Sequence, residues 1–111
     1  MENLRLQPGI NFSTAIEIAK RYAQIVRNSL DANAVVYLFG STARDEANES
    51  SDIDIAVVSE LFDDDVTGDF TRVNVLAYEV DMRINAQAIA YKDWERLNPF
   101  TLQVKTTGVL V

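Results

Sequence analysis

The sequence predicts an α+β fold of mixed α/β character: a small mixed or antiparallel sheet flanked by helices, in a single domain over residues 1–111. Three observations carry this expectation. Apolar residues recur at helical spacing from Thr14 to Leu30, placing a helix before any strand. Two short apolar runs follow, Ala34–Phe39 and Ile53–Val58, both rich in strand formers. Gly40-Ser41 lies at the end of the first run and Asp52 and Asp54 lie at the start of the second. If turn and aspartates serve one site, these two strand ends meet and the strands run antiparallel.

Each element follows from local signals. Residues 1–12 contain Pro8-Gly9 and read as an irregular lead-in. Thr14 and Glu17 have capping-box spacing. Ile18, Tyr22, Ile25, Val26, Ser29 and Leu30 form one helical face, with Lys20, Arg21, Gln24 and Arg27 largely opposite, and Asp31-Ala32-Asn33 ends the helix. The run 34–39 is apolar throughout, as a strand buried on both faces would be. Thr42 to Ala47 reads as a short helix, Asn48 to Ser51 as a polar loop, and Ile53–Val58 as the second buried strand. Glu60 to about Asp69 is polar and acidic and predicts a mobile loop. Arg72 to Asn85 alternates, with Val73, Val75, Val80, Met82 and Ile84 marking a long third strand that is irregular near Leu76-Ala77. Tyr91–Leu97 predicts a short helix. Asn98-Pro99 opens another, with Pro99 at its first position, Gly108 ends it, and Val109-Leu110-Val111 is a terminal strand or tail.

Composition removes several classes of chemistry. Apolar residues make up 48% of the chain, which favours a globular core over disorder. There is no cysteine and no histidine, so disulfides, thiol nucleophiles, zinc sites of the usual type and a histidine base are excluded. The formal net charge of −7 argues against holding DNA or RNA by phosphate neutralisation. No apolar run is long enough to span a bilayer and the first residues lack a signal-peptide pattern, so neither nucleic acid nor membrane is an expected partner and a cytoplasmic location is expected. Asp63-Asp64-Asp65 is an acidic cluster of the kind that is usually solvated.

The chemistry concentrates in two short stretches. Gly40-Ser41 is a turn of small residues that lets the backbone approach a phosphate closely. Ten residues separate Ser41 from Asp52, and Asp52 and Asp54 stand at i and i+2 of a strand, on one face and about 7 Å apart along the chain. Two carboxylates so placed cannot both stay ionised in a dry site without a cation, which points to a divalent metal. On the expected third strand Glu79, Asp81, Arg83 and Asn85 share one face. Asp81 would stand beside Asp52 and Asp54, completing a metal site or accepting a proton. Taken singly, each residue also has an ordinary reading: Thr42 as a capping hydroxyl, Arg44 and Arg83 as surface charges, Trp94 as core.

The joint pattern Gly40-Ser41-Thr42-Ala43-Arg44, then Ser51-Asp52-Ile53-Asp54-Ile55-Ala56-Val57, then Val80-Asp81-Met82 and the closing Lys105-Thr106-Thr107-Gly108-Val109-Leu110-Val111, resembles the nucleotidyltransferase superfamily that includes DNA polymerase beta, in its minimal branch. The resemblance covers most of the chain from Leu30 onward. It implies a polymerase beta-like palm fold. It implies that Gly40 and Ser41 hold a nucleoside triphosphate, with Arg44 adding positive charge near the phosphates. Asp52, Asp54 and Asp81 would be catalytic and bind Mg2+ or Mn2+, and ATP would be the substrate. The chain departs from the family at Asp45, where glycine often follows the arginine. The chain has no room for an acceptor-binding domain, so the acceptor would be held by a partner chain, a second copy in a homodimer, or a shallow surface. Minimal relatives commonly act as antitoxins beside a helical HEPN-type toxin, moving AMP to a tyrosine of the toxin. The alternatives are a small-molecule transferase like the aminoglycoside-modifying relatives, and an antitoxin that binds its partner without chemistry.

Overall fold

In the computed structural model, residues 11–44, 52–63, 65–96 and 98–111 are described. A first helix, α1 (Phe12–Ser29), leads into strand β1 (Val35–Phe39) and strand β2 (Ile53–Ser59). Helix α2 (Val66–Tyr78) and strand β3 (Ile84–Ala90) follow. A single turn α3 (Tyr91–Trp94), helix α4 (Pro99–Thr107) and strand β4 (Val109–Leu110) complete the order. The four strands form one sheet in the order β3-β2-β1-β4. Strand β1 is antiparallel to both β2 and β4, while β2 and β3 are parallel. The mixed sheet flanked by helices is the architecture expected from sequence.

Helix α1 starts earlier than the Thr14–Glu17 spacing predicted. The Asn11 side chain caps it, accepting from the Thr14 backbone N–H at 2.9 Å. Its buried face is Ala15, Ile18, Ala19, Tyr22, Ala23 and Val26. This face covers one side of the sheet together with Val73 and Ala77 of α2, against Val36, Leu38, Ile53, Ile55, Val57 and Ala86. The Tyr22 hydroxyl donates to the Val73 carbonyl at 2.7 Å, which satisfies a fully buried phenol and ties the two helices together. Burial pushes that phenol's pKa well up. The other side of the sheet carries a smaller cluster: Phe39, Ala56, Val58, Ile89 and Val104, with Tyr37 and Trp94 packed on it. The Trp94 ring lies 5.2 Å from Tyr37 and under the Lys105 ammonium.

Three expectations are corrected. The long third strand over 72–85 does not exist: residues 66–78 are helical, and β3 begins at Ile84. A parallel β2–β3 pair needs a crossover of about a dozen residues, and α2 supplies it. The 60–69 segment is not all loop, since Phe62 is buried and Asp65 caps α2 by accepting from the Gly68 N–H at 3.0 Å. The expected helix from Thr42 to Ala47 is, over its described part, a pair of turns closed by Arg44 N–H donating to the Gly40 and Ser41 carbonyls at 3.3 and 3.2 Å. Its remainder, with Asp45, lies outside the described residues, as do the 1–10 lead-in, the 48–51 loop and Asp64. The C-terminal signals held: Asn98 caps α4 with Pro99 in its first turn, and Gly108 ends it.

Candidate functional site

The site forms where the C-terminal end of β1 meets the N-terminal ends of β2 and β3. Antiparallel register sets Phe39 opposite Asp54, and parallel register sets Asn85 beside Asp54 from the other side. Asp54 is therefore on the central pair of strands, with Gly40 one residue beyond its partner on β1. Side chains two residues apart share a face, so Asp54 looks out on the face of Ala56 and Val58, with exposed Asp52 one pleat further out.

Gly40 has φ +78°, the left-handed region that a side chain strains to enter. A Cβ built there would lie 2.3 Å from Asp54 Oδ2. The glycine thus does two things: it turns the chain out of β1 and it lets the turn close onto the Asp54 carboxylate. After it, Ser41 is half-buried and Thr42 is fully buried. The Thr42 hydroxyl has no hydrogen-bond partner among the described residues, an uncommon condition for a buried polar group. The capping role expected for Thr42 is not seen there.

Burial raises the Asp54 pKa, and the Asp52 charge adds to the rise; the Asn85 amide, donating to Asp54 Oδ1 at 3.4 Å, and the Arg44 charge act the other way. Asp54 is thus a half-buried carboxylate at the meeting point of Asp52, Asn85, Arg44 and the Gly40 turn. Gly40, Ser41, Arg44, Asp52 and Asp54, all singled out from sequence, lie on the segments that converge here.

Asp81 is placed differently from the expectation. It lies in the turn between α2 and β3, not on a strand beside Asp52 and Asp54. Its carboxylate accepts from the Arg83 guanidinium at 2.9 and 2.8 Å and from the Arg83 backbone N–H at 2.8 Å. These bonds, with the charges of Arg83 and Arg21, hold its pKa below the usual carboxylate range. The side chain that the sheet sets beside Asp54 is Asn85. The signal for it was present: Ile84-Asn85-Ala86 repeats the apolar–polar–apolar pattern of Ile53-Asp54-Ile55 on the neighbouring strand. A groove of about 520 Å³ adjoins the site at the β3 edge. It is lined by Asp52 and Asn85 at one end and by the exposed Phe70, Val75, Tyr78 and Met82 along α2 and its exit turn.

The donor set fits a hard divalent cation shared with a phosphate ligand. Among the described residues no three or more acidic side chains cluster into a closed cage. Magnesium does not need one, since it is commonly held by one or two carboxylates together with substrate phosphates. Asp52 and Asp54 would provide the carboxylates, beside a turn that carries no side chain at Gly40.

The Asp81–Arg83 pair gives a stability expectation. Asp81→Asn should cost about 0.5–1 kcal/mol at neutral pH, the range of a partly exposed ion pair. Because the folded pKa is lowered, this contribution is present above the ordinary value of 3.8 and is lost as pH falls through the folded value. Thermal denaturation of parent and variant should therefore differ at neutral pH and converge in acid; an equal gap at both would show that the ion pair is not its source.

Among curated proteins none matches the chain significantly. Among solved structures, the chain resembles one from the crystal structure of the toxin–antitoxin MntA–HpeT in a mutant form, with TM-score 0.58, 22% identity, and 83% of this chain and 69% of that one covered. It also resembles a nucleotidyltransferase structure from Sulfolobus solfataricus, with TM-score 0.51, 21% identity, and 86% of this chain and 84% of that one covered. These likenesses agree with the fold: a four-stranded mixed sheet with helices on its faces. Within the described residues no helix is long and apolar enough to cross a membrane. The nucleotidyltransferase domain model matches residues 19–106, a span that holds the Gly40 turn, Asp52, Asp54 and the crossover to Asn85, and the chain belongs to the nucleotidyltransferase domain family.

Proposed function

We propose that the chain moves AMP from ATP to a hydroxyl of a separate protein, a tyrosine of a helical HEPN-type toxin, breaking the α–β phosphoanhydride and releasing pyrophosphate, and so acts as the antitoxin of a pair. The observation that supports the nucleotidyl-transfer reading is the close approach of the Asp54 carboxylate to the Gly40 turn, the arrangement expected of a phosphate-binding turn beside a metal carboxylate. The toxin–antitoxin reading is supported by the family resemblance and by the likeness to the MntA–HpeT structure.

In this reading Asp52 and Asp54 hold Mg2+ or Mn2+. A bound divalent cation would offset triphosphate charge and lower the pKa of the attacking hydroxyl. The small residues Gly40 and Ser41 admit the triphosphate to the backbone, and Arg44 contributes positive charge beside it. The groove along α2 gives the acceptor hydroxyl a path that ends at Asp52. Asp81 bonds Arg83 in the turn before β3, and in this reading Asn85 is the side chain beside Asp54. The net charge of −7 favours encounter with a basic partner.

The test is to incubate the chain and a helical protein encoded beside it with ATP and Mg2+, and to weigh the partner. The expected result is one or more AMP-sized mass additions on a tyrosine, absent with the Asp52→Ala/Asp54→Ala double variant. Neutralisation of the partner by that double variant, with no mass change, would establish the non-catalytic binding reading instead.

A further inference from the structure

We propose that Asn85 is the third side chain of the metal centre, a positioning residue that orients the Asp54 carboxylate, and that its neutrality leaves the centre one negative charge short. The inference rests on the reading above, in which Asp52 and Asp54 hold the cation. Parallel register puts Asn85 directly beside Asp54, and its Nδ2 donates to Asp54 Oδ1 at 3.4 Å. Asp54 Oδ2 meanwhile lies where a side chain at Gly40 would begin, 2.3 Å from an ideal Cβ there. One carboxylate oxygen is held by the amide and the other faces the phosphate cradle.

The position of Asn85 is itself fixed from outside the site. β3 is the edge strand, and the Asn74 side chain of α2 pairs with it as a further strand would: Ala86 N–H donates to Asn74 Oδ1 at 3.1 Å and Asn74 Nδ2 donates to the Ala86 carbonyl at 3.0 Å. Asn85, one residue before this clamp, needs no side-chain contact to stay in register. Changing its side chain therefore changes the centre and leaves the sheet in place.

An asparagine there has two consequences. It lends its amide to Asp54, and it contributes no charge toward a divalent cation and no carboxylate toward an acceptor proton. A carboxylate beside a bound cation would act strongly on it even in a screened, half-buried site. Asn85→Asp should therefore tighten Mn2+ binding about tenfold or more. In the absence of metal the same variant should melt at a lower temperature than the parent, because three carboxylates then face one another, and Mn2+ should restore the midpoint. Asn85→Ala removes the donor without adding charge; it should keep the parent's fold by circular dichroism and weaken Mn2+ binding several-fold.

The experiment is calorimetric titration of Mn2+ into parent, Asn85→Asp and Asn85→Ala, each in the presence of a non-hydrolysable ATP analogue, with melting curves alongside. The expected ranking is Asn85→Asp tightest, parent next and Asn85→Ala weakest. If the parent binds Mn2+ but all three share its affinity, Asn85 lies outside the centre and this inference falls while the transferase reading stands. If the parent and Asn85→Asp both fail to bind Mn2+, the metal reading of Asp52 and Asp54 falls with it.

Discussion

Asp54→Asn should abolish nucleotidyl transfer while leaving the protein folded and more resistant to heat. Burial and the neighbouring Asp52 charge raise the Asp54 pKa. The sign follows: a carboxylate whose folded pKa lies above its unfolded value costs stability when ionised, and that cost is present at neutral pH and disappears as pH falls through the folded value. Asparagine fills the same space with no charge, so the variant should melt above the parent at neutral pH, and the gap should close in acid. Asn85 can still bond the amide at position 54, and the Gly40 turn still finds a side chain of the same shape. Function should move in the opposite direction. Losing one of two carboxylates removes a preorganised charge from the site where charge matters most, and a loss of transfer of about a hundredfold or more is expected. The informative measurement pairs a melting curve with a transfer assay on the same preparation. A variant that is more stable and inactive places Asp54 in the site; one that keeps full transfer removes it.

This opposition of stability and function also explains which parts of the molecule the sequence made legible. β1, β2 and α4 rest on local signals: continuous apolar runs, an Asn98-Pro99 start and a Gly108 stop, each read from a few adjacent residues. Helix α2 has a local start signal only in its Asp65 cap, and no matching apolar run. Its buried positions are Asp69, Val73 and Ala77, spaced by four, and one of them is a charge. Asp69 is tolerated inside because Arg72 pairs with it and the Asp63 N–H donates to it. The exposed Val75 and Met82 meanwhile imitate a strand's alternation. What makes this segment helical is nonlocal: β2 and β3 are parallel, and only a crossover can join them. The same misplacement carries into the site. A strand running through Asp81 sets that aspartate beside Asp54; with β3 starting at Ile84, the neighbour is Asn85 and Asp81 lies in the turn. The Gly40 turn and Asp54 lie together because one antiparallel pair sets Phe39 opposite Asp54, a relation readable along the chain.

Gly40→Ala should be among the most damaging single-methyl additions this chain can receive, for two separable reasons. The first is backbone. At φ +78° a non-glycine residue pays about 1–2 kcal/mol against the left-handed conformation. The second is contact. The new Cβ would stand 2.3 Å from Asp54 Oδ2 and 3.2 Å from its Cβ, so the carboxylate must swing away. Sequence alone placed the harm of a side chain here between backbone and phosphate; the structure adds that the carboxylate is struck first. The single variant should therefore lose stability and nucleotide affinity together. Combining it with Asp54→Ala separates the two causes, because that change removes the oxygen at 2.3 Å and leaves the backbone strain untouched. A double-mutant cycle on thermal or denaturant unfolding should show favourable coupling, with the double variant losing less than the sum of the singles. The residual loss, about 1–2 kcal/mol, is the backbone share. Strict additivity would mean that the turn and the carboxylate do not touch, and would part the phosphate cradle from the metal carboxylate on which the functional reading rests.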